Sequence, residues 1–316
     1  MSVRGWLLCA LLLSPNAFSA PRTEADRLKE WKLSAAVVLS RRGDANSLAT
    51  AALLSPTDGP ELSARASELA PESATFAWVR LRLCALAPPC DFRDAATAMR
   101  WVAPANPAAW LPTLNVAFKD GDIVETERVL FDMSQGKHFA VYAVAVAVLM
   151  FDALKAAANS LPTDTAASDA SRLALVISVA AAKLVPSFTT IEEVCRDPAP
   201  GTERRDACMK IARTLQRGDT MRGEFAGISI EKHLVAPDSK EAVALAERRR
   251  VLESQQSLAA NFDTPLLPWS KNAHARWHLA RMRSLPREQD VLLAILREQG
   301  TPSYPAVPAP APAPAQ

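Results

Sequence analysis

Few side chains in this chain are placed to do chemistry, and their spacing decides what each could do. His274 and His278 stand one helical turn apart around Trp277, a spacing that can bring two imidazoles to one metal ion. The stretch reads His-Ala-Arg-Trp-His, so it lacks the glutamate that follows the first histidine in a hydrolytic zinc helix, and Arg276, Arg281 and Arg283 surround the pair with positive charge. We read it as a packed and solvated helix face. Ser134 and Lys137 have the Ser-x-x-Lys spacing of serine acyl-enzymes, but Gly136 interrupts the helix that would hold the lysine beside the hydroxyl, and the companion motifs are missing. Glu192 and Glu193 are adjacent, so on a helix their carboxyls point about 100° apart and cannot work one bond as an acid and base pair. The sequence contains no Gly-x-Ser-x-Gly, Walker or Rossmann pattern. It therefore names no catalytic residue, no metal ligand and no cofactor.

The cysteines are more informative once the N-terminus is considered. Arg4, the apolar run Trp6 to Leu13 and the small-x-small pattern Ala17-Phe18-Ser19 predict a secretory signal over 1–19, with Ala20 first in the exported chain. The apolar run is too short to span a bilayer. Cleavage removes Cys9 and leaves Cys84, Cys90, Cys195 and Cys208, an even set in an oxidising compartment, which predicts disulfides and a periplasmic or secreted location. Four cysteines allow three pairings. The local one, Cys84 with Cys90 and Cys195 with Cys208, is expected because each pair brackets a proline-containing loop between helix-like stretches. Cleavage also removes Arg4 from the 36 basic residues, leaving 35 against 34 acidic. Charge so balanced gives no case for nucleic acid or an anionic membrane as partner.

The elements that would position these residues are helices. Apolar residues make up 49% of the chain but aromatics only 6%, and alanine-rich runs favour closely packed helices. Only 10 glycines are present, too few for a hairpin-rich or phosphate-cradling architecture. Apolar period and Pro, Gly and Asp punctuation predict about a dozen helices, capped by Asp44, Asp91, Asp122 and Asp238. Asn106-Pro107 opens one that Pro112 should kink. Two strongly apolar stretches, Phe139 to Leu154 and Leu173 to Val185, read as buried central helices and are too short to cross a membrane. Gly223 and Gly227, one turn apart, permit close helix contact, whereas Arg248-Arg249-Arg250 wraps around its helix as a solvated face. The expected organisation is a signal over 1–19, a helical-repeat region over 20–186, a helical region over 187–300 and a disordered proline- and alanine-rich tail over 301–316.

Leu69-Ala70-Pro71 and Val102-Ala103-Pro104 stand 33 residues apart, each closing one helix before an alanine-rich helix with a tryptophan, Trp78 and Trp110. This period and its helix-turn-helix content resemble tetratricopeptide-type repeats over roughly Asp44 to Gly136. The resemblance implies an all-α solenoid of helical hairpins with a helical C-terminal part. Gly121-Asp122 falls where such repeats turn, although Thr113, Leu114 and Ala117 depart from the repeat pattern after Trp110. The layout is also similar to a group of exported helical proteins of Gram-negative bacteria. The carrying features are the Leu-Ala-Pro punctuation, Asn106 to Leu111, the pair Cys195 and Cys208, and Ile211-Ala212-Arg213 before Gly218-Asp219-Thr220. That similarity implies compartment and fold and brings no activity with it. By analogy with solenoids, the expected function is to bind or scaffold a peptide or protein partner on a concave surface containing Trp78, Arg80, Trp110 and Asn115. The alternative is a periplasmic hydrolase, cell-wall-directed for example, with a cleft site that the motifs do not reveal.

Overall fold

The structure is a computed structural model that describes residues 23–87, 90–161, 168–262, 268–298 and 300. The expected signal and tail lie outside these residues. Of the described residues 78% are helical and none is in a strand. The helices are α1 Glu24–Arg42, α2 Ala45–Leu54, α3 Gly59–Leu69, α4 Ala74–Leu86, α5 Phe92–Val102, α6 Leu111–Lys119, α7 Ile123–Ser134 and α8 Ala143–Ala156. They continue with α9 Asp169–Leu184, α10 Thr189–Val194, α11 Glu203–Gln216, α12 Met221–Leu234, α13 Lys240–Phe262, α14 Pro268–Ser284 and α15 Glu288–Glu298. No helix among the described residues is long and apolar enough to cross a membrane.

Local chemistry sets most helix starts. The side chains of Thr23, Asp44, Ser73, Asp91, Asp122, Thr202 and Thr220 each accept a backbone N–H from the first turn that follows, satisfying donors a helix start leaves bare. Two expectations shift. The cap of α13 is Ser239, whose hydroxyl accepts the Ala242 amide, and not Asp238. Pro112 does not kink a continuous helix. A short 3-10 turn, Pro107–Trp110, precedes α6, and Pro112 lies in the first turn of α6, where its missing N–H leaves no gap.

The largest departure concerns the stretch expected to be helical from Phe139. Helix α8 begins only at Ala143, because side chains from elsewhere hold residues 140–142 extended or turned. Asn106 accepts the Ala140 amide and donates to the Ala140 carbonyl, and the Asp219 carboxylate accepts the amides of Val141 (3.0 Å) and Tyr142 (2.8 Å). Tyr142 takes φ 54°, the left-handed region, as the only non-glycine described to do so. The same joint receives α15, since the Asp219 carbonyl accepts the Glu288 amide and Arg287 donates to the Gly218 carbonyl.

Helices α1 to α5 pack in chain order, each on the next, and α6–α7, α8–α9 and α11–α12 pair as neighbours. Chain-distant packing then closes the molecule: α8 lies on α2, α9 on α4, α11 on α7 and α14 on α9. One continuous apolar core results, running from Trp31 to Ile295 across the 186–187 junction, with a smaller cluster of Met221, Ile228, Leu245, Leu252 and Leu292 beside it. The α11–α12 contact depends on Gly227, where a Cβ would sit 2.5 Å from the Ala212 carbonyl oxygen. Disulfides Cys84–Cys90 and Cys195–Cys208 join the expected pairs, with Cα atoms 5.1 and 5.5 Å apart. The first closes the end of α4, and the second ties the short α10 to α11.

Candidate functional site

Helix α5 turns Ala95, Ala96 and Met99 into the core and leaves Arg93, Thr97, Arg100 and Trp101 on the other face. Trp101 is 86% exposed, an unusual position for the largest apolar side chain. Helix α7 does the same: Val129, Leu130 and Met133 point inward, while Val124 (81% exposed), Arg128 and Phe131 (59%) line the outside one turn apart. Between the two lies Trp110, half-buried at the end of the 3-10 turn, with the Arg100 guanidinium 4.2 Å and the Arg128 guanidinium 5.3 Å from its ring centre. Cations over an indole face are attracted by its quadrupole, so the two arginines fix the ring and are fixed by it.

The charges on this face are unevenly compensated. Arg128 forms ion pairs with Glu125 and Asp132, both at 2.6 Å, which raises its pKa and lowers that of Glu125. Arg100 donates to Thr97, and Arg93 lies 5.6 Å from the Phe92 ring centre; neither forms an ion pair among the described residues. Burial, together with the nearby Arg128, lowers the Arg100 pKa. The result is an outward apolar and aromatic surface on α5 and α7 beside two guanidiniums that form no direct ion pair among the described residues, although Glu125 and Asp132 act on them from further away.

The four residues expected to share a groove do not share one. Trp78 is wholly buried in α4 between Ala77 and Val79, so it can touch no partner. Helix α4 is apolar nearly all round, which is the sequence signature of a buried helix. Arg80 is half-buried and pairs with Asp94 of α5 at 2.5 Å. Trp110 is the centre of the patch described above, and Asn115 is exposed on the outer side of α6. Arg93, Arg100, Trp101, Val124 and Phe131 were not singled out from sequence. A tryptophan on the same helical strip as Arg93 and Thr97, opposite Ala95 and Met99, was the signal for them.

The residues weighed for catalysis stay apart or are otherwise engaged. Ser134 donates to the Phe131 carbonyl at the end of α7, and Lys137 is exposed beyond it. The rings of His274 and His278 are 6.3 Å apart, with His274 stacked on Trp277, and no three metal-ligating side chains converge among the described residues. Glu192 is half-buried beside Arg222 and Arg249, with its pKa raised by burial, and Glu193 is exposed. Arg249 and Arg250 pair with Glu253 and Glu247 on the exposed face of α13, whereas Arg248 departs from the expected solvated face by pairing with the buried Glu224 of α12. No protein-family model matches the chain, and no curated protein or solved structure matches it.

Proposed function

We propose that this is an exported helical scaffold of tetratricopeptide-like hairpins that docks a peptide or protein segment in which acidic side chains alternate with apolar ones. The observation that carries this reading is the outward face of α5 and α7, which leaves Trp101, Val124 and Phe131 exposed on the two helices that meet over Trp110 through Arg100 and Arg128, with Arg93 and Arg100 in no direct ion pair among the described residues. Exposed aromatic patches of this kind mark interaction surfaces, and tryptophan and arginine are the residues most enriched among binding hot spots. Acidic side chains on the partner would complement the two guanidiniums. Two further observations support the other parts of the reading. The chain-ordered packing of α1 to α5 agrees with a repeat architecture at the N-terminal end, and the two disulfides suit an oxidising compartment.

The test is fluorescence anisotropy with a labelled peptide of alternating glutamate and phenylalanine, compared with its lysine counterpart. The acidic peptide should bind more tightly. Trp101→Ala and Arg100→Ala should each weaken it by about tenfold, and the melting temperature of Trp101→Ala should not change because that side chain covers little of the core. Equal binding of both peptides, or wild-type affinity in both variants, would refute the docking surface. N-terminal sequencing of the protein from the producing cell's envelope should find Ala20 first.

A further inference from the structure

On the C-terminal side of the molecule, helices α8, α9, α12, α13, α14 and α15 line an open-sided cavity of about 290 Å³. Interiors pack as densely as organic crystals, so a space of this size within core elements asks for a cause. The cause lies in side-chain size. Where α8 and α9 face the cavity they present Ala143, Ala147, Ala180 and Ala181 beside Val144 and Ile177, and a longer side chain at an alanine position would narrow it. The opposite wall is Met221, Met282 and Ile295, also apolar.

Among the described residues, polar groups enter only from Gln256, His278 and Glu288. Glu288 accepts the Met221 amide at 2.9 Å through Oε2 and stands next to the Asp219 joint, whose carboxyl feels its charge. One end of an otherwise apolar space is therefore acidic. Such a combination, an apolar lining with a few convergent polar groups, is what small-molecule sites share. A dry apolar cavity of about 150 Å³ takes a benzene molecule, so this one has room for about two fused rings or a chain of similar bulk.

We propose that this cavity binds a small apolar ligand of about two-ring size whose hydroxyl or ammonium head donates to the Glu288 carboxylate. The site is separate from the α5–α7 face and does not depend on it. An anionic head is disfavoured at that end because it would have to lie against the Glu288 carboxylate.

Isothermal calorimetry on the purified full chain at neutral pH, with 2-naphthylmethanol, 2-naphthylmethylammonium and 2-naphthoate as probes, tests each part. The alcohol and the ammonium should bind saturably, and the carboxylate at least about tenfold more weakly. Ala180→Leu and Ala147→Leu intrude on the space and should each weaken the alcohol by at least about tenfold. If either loses its cooperative melting transition, Ala181→Met at the exposed mouth serves instead. Glu288→Gln should keep the alcohol and bring the carboxylate close to it in affinity. Absence of saturable heat from all three probes, unchanged binding in the narrowed variants, or naphthoate binding as well as the alcohol to the wild type would each overturn the proposal.

Discussion

Asp219→Asn separates the charge of the buried joint from its hydrogen bonds. Burial pushes the Asp219 carboxyl up to about 6 from an ordinary 3.8, against the amides of Val141 and Tyr142, which favour the ionised form, and with a smaller upward push from Glu288. A carboxyl raised on folding binds its proton more tightly in the folded state. Its stabilising contribution is therefore fully present below about pH 4 and is lost as pH rises through about 6. A shift of this size corresponds to about 3 kcal/mol in total, and near pH 5 to a slope of about −1.2 kcal/mol per pH unit. Asparagine keeps an acceptor for both amides and cannot titrate. Urea denaturation of wild type and variant in small steps from about pH 4 to pH 8 should show the variant gaining about 2.4 kcal/mol on the wild type across that range. Titrating groups that do not interact with Asp219 contribute equally to both curves and drop out of the difference, while the smaller coupling to Glu288 stays in it. Parallel curves would show that the carboxyl titrates normally and that its burial is well compensated. Asp219→Ala is the complementary control: it leaves two amides without their acceptor and should destabilise by about 1–3 kcal/mol for each at every pH.

The two disulfides should differ in weight. With sequence separations of 13 and 6, loop closure favours Cys195–Cys208, at about 3 kcal/mol against about 2.4. Cys195 and Cys208 are also fully buried, whereas Cys90 is only partly so, and the bridge joins a helix of only six residues, α10, to α11. The double serine variant of that pair should therefore lower the melting temperature more than the same change at Cys84 and Cys90; an equal or reversed order would refute the ranking. Gly227→Ala should destabilise by about 1–2 kcal/mol, because overpacking against the Ala212 carbonyl and the Gln216 amide outweighs the roughly 1 kcal/mol that alanine gains in a helix. Gly223→Ala meets the Thr220 hydroxyl at 3.1 Å and otherwise only ordinary contacts with Phe188 and Leu215, and should lie near zero. Thermal melts that rank the two glycines the other way would show that α11 and α12 can part freely.

What the sequence discloses here is what neighbours decide. Asp44, Asp91, Asp122 and Thr23 cap their helices through contacts two or three residues long, so the helix starts can be read from the chain. The pairing of cysteines 6 and 13 apart is local for the same reason. Residues 139–142 mislead because their conformation is set by Asn106 and Asp219, 34 and 77 positions away, whose hydrogen bonds overrule a strong helical composition. The groove residues mislead in another way. Trp78 and Trp101 are both helical tryptophans near proline punctuation, and only the company each keeps around its helix tells that one is core and the other outside. The apolar cavity has no sequence signature at all, since an alanine facing a void and an alanine facing a neighbouring helix are the same letter.

The joint at Asp219 also sets an order of events. Ribosomes and translocation channels deliver a chain from its N-terminus, so α8 and α9 emerge well before the carboxyl that fixes where α8 begins and before the Glu288 segment that closes over it. The contacts among α1 to α5 are short in sequence and cost little loop entropy, whereas the Asp219 contacts span 77 and 78 residues. The contacts of α1 to α5 can therefore form first, and α8 and α9 have α2 and α4 to settle on before residue 219 arrives to fix where α8 begins.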